Sequence, residues 1–252
     1  MKKLLTLGMA AALLALACAA HAYPTLAGST GLIQAPTAMV AAPGTFDIAA
    51  DYVASKNDDL NQKDSFPIRA QFGVGGGLEV GAGYDDNAFD GKGFWDVNAK
   101  YKLPYNFSGI QTAVGASYGQ TSTLPDWGGT DLKVTQVYLV GTDHFNVGIP
   151  LGVTLGVNWT QFELADKNSG WRIQLGASAM IFKGLALVGD VQSIAKANDF
   201  NEKNLWSLGA RYMCTPALSA EVGVTNGMYV GLAKRGNLFV GVNYALGSEK
   251  EK

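Results

Sequence analysis

Trp95-Asp96-Val97-Asn98-Ala99-Lys100-Tyr101 alternates strictly, with an apolar residue at every second position and a polar or charged residue between. An aromatic closes the apolar row at both ends. The pattern recurs in Phe66-x-Ile68-x-Ala70-x-Phe72, in Trp206-x-Leu208-x-Ala210-x-Tyr212, and in Phe46-x-Ile48-x-Ala50-x-Tyr52. A strand has this form when one face meets lipid and its ends meet the lipid–water interface. The fold class it predicts is all-β: a transmembrane antiparallel up-and-down β-barrel.

Composition agrees. Of 252 residues, 48% are hydrophobic and 16% charged, with 32 glycines; soluble domains carry about 25% charged residues. The net charge of −2 gives no reason to expect a nucleic-acid partner. Beyond the N-terminus no apolar run reaches the ~18–20 residues that a spanning helix needs. The N-terminus reads as a secretory signal peptide over residues 1–22: Lys2 and Lys3, an apolar run over 4–16, and Ala20-His21-Ala22 as a small-x-small cleavage site. Lipoprotein processing at Cys18 is the alternative, with Leu16 two positions before the cysteine where the lipobox places it three before. Cleavage leaves Cys214 without a disulfide partner, beside a turn, as a small buried or interfacial residue.

Period-two reading yields about twelve strand candidates. Beyond the four above, the apolar rows are Leu78-Val80-Ala82-Tyr84, Ile110-Thr112-Val114-Ala116-Tyr118, Leu151-Val153-Leu155-Val157-Trp159, Trp171-Ile173-Leu175-Ala177-Ala179, Leu218-Ala220-Val222-Val224 and Leu238-Val240-Val242-Tyr244. Residues 185–192 give a weaker strand, and 134–142 a strand of ambiguous facing. Short connections (73–77, 104–108, 145–150, 182–184, 214–217) follow even-numbered strands. Longer polar ones (54–65, 85–93, 120–132, 163–170, 193–204, 226–236) follow odd-numbered strands. Outer-membrane barrels sort their periplasmic turns and external loops in this way. With odd strands running outward, Tyr52, Phe66, Tyr84, Trp95, Tyr118, Trp159, Trp171 and Trp206 form an external ring. Phe46, Phe72, Tyr101, Tyr212 and Tyr244 form a periplasmic one. Aromatics six residues apart span about 20 Å along a strand, or about 15 Å of height at a ~40° tilt, short of the usual ~25 Å band.

The opposite face carries Asp47, Arg69, Glu79, Asp96, Lys100, Arg172, Asp190, Arg211 and Glu221, interleaved with glycine (Gly81, Gly83, Gly115, Gly119, Gly156, Gly176, Gly209, Gly223, Gly241). These charged residues are the predicted lumen lining. Two readings are open: a hydrophilic pore of weak ion selectivity, or a closed interior whose charges pair. The glycines leave room for water or for a segment of the chain. Residues 23–44, before the barrel at 45–246, are a candidate for that segment, since Pro24, Pro36 and Pro43 oppose a regular strand or helix. The segment is expected inside the barrel, along its periplasmic mouth, or as a loose leader. Residues 247–252 form a charged tail that leaves Tyr244 as an internal terminal aromatic.

Within this segment, Thr30-Gly31-Leu32-Ile33-Gln34-x-Pro36-Thr37-Ala38, followed by Gly44 and an alternating strand, resembles the start of YjbH-type outer-membrane proteins. That family is associated with exopolysaccharide production and export, and its members are typically much longer, so the resemblance implies one barrel module. It implies envelope polysaccharide export components as partners, beside outer-membrane lipid and the barrel assembly machinery.

Catalysis is not expected. A Ser–His–acid relay needs a histidine, and beyond the signal peptide only His144 remains. Asp85-Asp86-Asn87-x-x-Asp90-Gly91 lacks the ligand spacing and closing Glu of an EF-hand loop. No cofactor or metal site is expected. The sequence-level reading is a Gram-negative outer-membrane barrel acting as a small channel or export accessory, with a closed interaction barrel and a barrel hydrolase as alternatives.

Overall fold

The computed structural model describes residues 23–26, 28–54, 64–89, 92–121, 130–163, 167–193, 204–226 and 237–247. The predicted signal peptide, most of the charged tail and the centres of several long loops lie outside the described residues.

The strands are β1 (Phe46–Ala54), β2 (Ile68–Gly75), β3 (Leu78–Phe89), β4 (Lys92–Lys102), β5 (Gln111–Thr121), β6 (Lys133–Asn146), β7 (Pro150–Glu163), β8 (Lys167–Phe182), β9 (Leu185–Gln192), β10 (Leu205–Met213), β11 (Leu218–Thr225) and β12 (Asn237–Leu246). Each pairs antiparallel with its sequence neighbours, and β12 closes onto β1. The up-and-down barrel follows from the alternation: a sheet apolar on one face and polar on the other has no free edge once it closes.

The apolar rows point out. In β1 every outward residue from Phe46 to Tyr52 is exposed, and every residue between them is buried. Register aligns the aromatics as the two rings require: Tyr84 pairs with Trp95, and Trp159 with Trp171. Ring contacts form across the sheet between Tyr52 and Phe66 (5.1 Å) and between Trp95 and Tyr118 (5.6 Å). At the short-turn end, Gly75, Gly76 and Gly77 hold φ of 111°, 59° and 87° in succession, a left-handed run that residues with a Cβ adopt at a cost.

Three sequence expectations are corrected. The stretches 85–93 and 163–170 are mostly strand: β3 runs to Phe89 and β4 starts at Lys92, while β7 ends at Glu163 and β8 starts at Lys167. Charged and polar residues pair well in a ladder when both faces are wet, and composition alone read them as loop. The sixth strand has a definite facing, with Val137 and Leu139 exposed and Tyr138 and Val140 buried. Cys214 is exposed in the β10–β11 turn and not buried.

Candidate functional site

The interior is occupied by the chain's own N-terminal segment. Every described residue from 23 to 38 is buried. The segment lies against the inner wall of the barrel. The segment folds as a compact double bend: Pro24 bridges to Thr30 and Gly31 to Pro36. The Leu32 amide donates to the Ala35 carbonyl (2.9 Å), and the Leu26 amide to the Ile33 carbonyl (2.7 Å). This explains glycine at position 31, where a Cβ would stand 2.3 Å from the Ala35 oxygen and 2.7 Å from Pro36 Cα.

Barrel and segment meet through the predicted lumen residues. Glu79 on β3 accepts from the Thr30 amide (3.0 Å), the Thr30 hydroxyl and the Ala41 amide (2.7 Å). Lys100 on β4 lies 3.4 Å from Glu79 and donates to the Thr30 carbonyl (2.8 Å). Asp190 on β9 accepts from the Ile33 and Gln34 amides, both at 2.9 Å. Arg211 on β10 pairs with Glu221 on β11 (2.7 Å), donates to the Leu32 carbonyl (3.1 Å), and lies over the Tyr23 ring (3.6 Å). Burial, with Glu221 beside it, pushes the Tyr23 phenol well above its ordinary pKa, so it stays neutral.

The other predicted lining residues lie elsewhere on the inner wall. Arg69 pairs with Asp51, and Asp47 is buried on β1. Asp96 and Arg172 face the long-loop end, where Arg172 packs over Phe162 (5.5 Å). With Gln34, Ser117, Gln136, Thr160 and Gln192 they line a cavity of about 560 Å³, counting space open to solvent. Gln34 is anchored by donating to Ser207 Oγ (3.0 Å) and to the Thr225 hydroxyl.

Inward glycine answers the segment's apolar side chains. A Cβ on Gly176 would lie 2.1 Å from Leu32 Cδ1, and one on Gly209 would lie 3.2 Å from Ile33 Cδ1. Leu26, Leu32 and Ile33 form a small core with Val53, Val188 and Phe239 from the wall. Ala38 packs with Ala113, Tyr138 and Val140. Sequence reasoning missed these inward apolar residues. Their signal is an apolar run unbroken across both faces, as in Leu238-Phe239-Val240 and Leu187-Val188, because a strand apolar on both faces is covered on both.

A continuous apolar exterior around a polar, charge-paired interior inverts a soluble barrel and suits a wall surrounded by lipid. His144 sits exposed near the β6–β7 turn, and no group of three or more metal-ligating side chains occurs among the described residues.

No family model matches the sequence, and no curated protein matches it. Solved structures do match. The KdgM porin in complex with disordered oligogalacturonate has a TM-score of 0.58 at 14% identity, covering 79% of this chain and 98% of that one. An outer-membrane channel from Pseudomonas putida F1 has a TM-score of 0.55 at 11% identity, covering 81% and 96%. The NanC porin has a TM-score of 0.53 at 12% identity, covering 80% and 100%. At these identities the likeness is one of fold.

Proposed function

We propose that this chain is a Gram-negative outer-membrane channel for small polar solutes, closed at rest by residues 23–41. The signal peptide delivers it, and the barrel assembly machinery inserts it with both termini in the periplasm. The observation that carries the reading is the mode of closure. The segment is held largely by hydrogen bonds between its main chain and polar or charged wall residues, which water can replace. A barrel closed for good is more simply filled by apolar side chains growing from its own strands. The likeness to porins and to an outer-membrane channel supports the channel class. The Thr30–Ala38 motif supports a role as an accessory in envelope polysaccharide export.

Planar-bilayer conductance of the refolded protein is the test. The full chain is expected to be silent or to open rarely, and a chain lacking residues 23–41 to conduct steadily. A silent deletion variant that still shows heat-modifiable gel mobility would sink the channel reading. It would favour the second one, a closed barrel presenting its long loops to partners, which the burial of every described residue from 23 to 38 supports. The hydrolase reading requires lipid hydrolysis that disappears on His144→Ala.

A further inference from the structure

The outer surface does not end evenly at the periplasmic ring of aromatics. Three neighbouring turns carry large apolar side chains below it. These are Tyr105 and Phe107 between β4 and β5, Val147 and Ile149 between β6 and β7, and Phe182 at the end of β8, beside the β8–β9 turn. Phe107 is 78% exposed, Tyr105 74%, Phe182 71% and Val147 68%, whereas most outward residues of the belt fall between about a third and 60%. These tips therefore stand out from the wall and are not packed on it. The turns on the other half of the barrel differ. The β10–β11 turn is Cys214-Thr215-Pro216-Ala217, and the β2–β3 turn is glycine with only Val74 beside it.

The height of the apolar face follows the same division. On β1 the outward row runs from Phe46 to Tyr52, about 20 Å of strand and about 15 Å of height at a ~40° tilt. From Ile149 through Leu151, Val153, Leu155 and Val157 to Trp159 the row is about 33 Å long and about 25 Å high on the same arithmetic. The belt is thus tallest beside these turns; on the opposite half the rows of β2 (Phe66 to Val74) and β12 (Leu238 to Leu246) are about 26 Å long and about 20 Å high.

We propose that the β4–β5, β6–β7 and β8–β9 turns are a lipid-contacting surface, seated among the headgroups of the inner leaflet, while the opposite half ends in water. The patch adjoins the lipid-facing wall along β7, from Ile149 through Leu151 to Val153, which favours lipid over a protein partner. Aromatics are at home at headgroup depth. Asp143, on the outer face of β6 opposite Val153, is an outward acid beside the patch, and such an acid costs little near the interface. Lys183, exposed beside Phe182, is placed to meet a lipid phosphate. The proposal depends on the barrel's placement in the outer membrane but not on its conducting.

Spin labels test it. Phe107→Cys, Val147→Cys and Phe182→Cys are made singly in a Cys214→Ser background, with native Cys214 as the reference on the opposite half. Each protein is refolded into phosphatidylcholine–phosphatidylglycerol vesicles, and heat-modifiable mobility verifies the barrel. Faster relaxation by oxygen than by a water-soluble nickel complex is expected at the three sites, with the reverse at Cys214. Nickel-dominated relaxation at all four sites overturns the proposal. So does a patch open to nickel in vesicles yet shielded in native outer membranes, because that result assigns it to a protein partner. If one substitution prevents folding, the other two turns still decide. A barrel that gives the expected labels yet never conducts separates this proposal from the channel reading.

Discussion

Lys100 and Thr30, seventy positions apart, meet inside the barrel, where the Lys100 ammonium donates to the Thr30 carbonyl at 2.8 Å. Glu79 completes the contact by accepting from the amides of Thr30 and Ala41 while pairing with Lys100. The pair holds two parts of the segment at once. Removing one member of a buried ion pair strands the other and costs roughly 3–5 kcal/mol, whereas replacing both with uncharged groups costs far less. Glu79→Ala is therefore expected to unseat the segment, read as frequent channel openings and as protease cleavage within residues 28–44. Glu79→Gln combined with Lys100→Met is expected to stay closed. Equal behaviour of the two variants would show that the latch does not hold the segment.

Two glycines separate backbone contact from side-chain contact. A Cβ on Gly73 would lie 2.0 Å from the Ala42 carbonyl oxygen and 2.6 Å from that of Ala41, where the segment enters the barrel. Neither oxygen can move without losing the hydrogen bonds that join Gly44 and Thr45 to Gly73. Gly73→Ala is expected to leave the barrel folded by gel mobility and its N-terminal segment protease-sensitive. A Cβ on Gly176 instead meets the end of the Leu32 side chain. Gly176→Ala is expected to cost about 1–3 kcal/mol by overpacking, and Leu32→Ala to suppress much of that loss. Absence of suppression in urea unfolding would count against this packing.

The barrel was legible because its signal is redundant. Residues such as Ile48, Val97 and Leu208 repeat one rule, apolar out with polar or glycine between, from which inward apolar residues such as Val140, Val188 and Phe239 depart. The ring aromatics and most connections followed from the same rule. Strand ends were less legible. Asp85 and Asp86 look like loop residues but lie in β3, since a ladder beyond the membrane has no need of an apolar face. The interior was legible only as a list. Period two places Glu79, Lys100, Asp190 and Arg211 on the inner wall, but their partners are main-chain atoms of residues 30–41, and a main-chain amide has no sequence signature. The inward glycines were the indirect trace, since they left the room that Leu32 and Ile33 occupy.

The exposed Cys214 in the β10–β11 turn reports orientation. With that turn in the periplasm, a maleimide too large to cross the outer membrane is expected to spare Cys214 in intact cells and to label it after the outer membrane is permeabilised. Labelling in intact cells would place the short turns outside and reverse the topology.

Charge on the inner wall sets the selectivity of the opened barrel. Asp47, Asp51, Glu79, Asp96, Asp190 and Glu221 face inward on the acidic side, with Arg69, Lys100, Arg172 and Arg211 on the basic side. Arg69 pairs with Asp51, Lys100 with Glu79, and Arg211 with Glu221. Pairing leaves a modest acidic surplus and no continuous track of cations for an anionic chain to follow. The variant lacking residues 23–41 is expected to prefer cations weakly, read as the sign of the reversal potential across a potassium chloride gradient. The preference should fade in 1 M salt, where the screening length falls to about 3 Å. Glu221→Gln releases Arg211 and removes a charge from the periplasmic end, so it should shift the reversal potential toward anions. A clear anion preference before that substitution would mean that Arg172 and Arg211, rather than the carboxylates, dominate the conducting path.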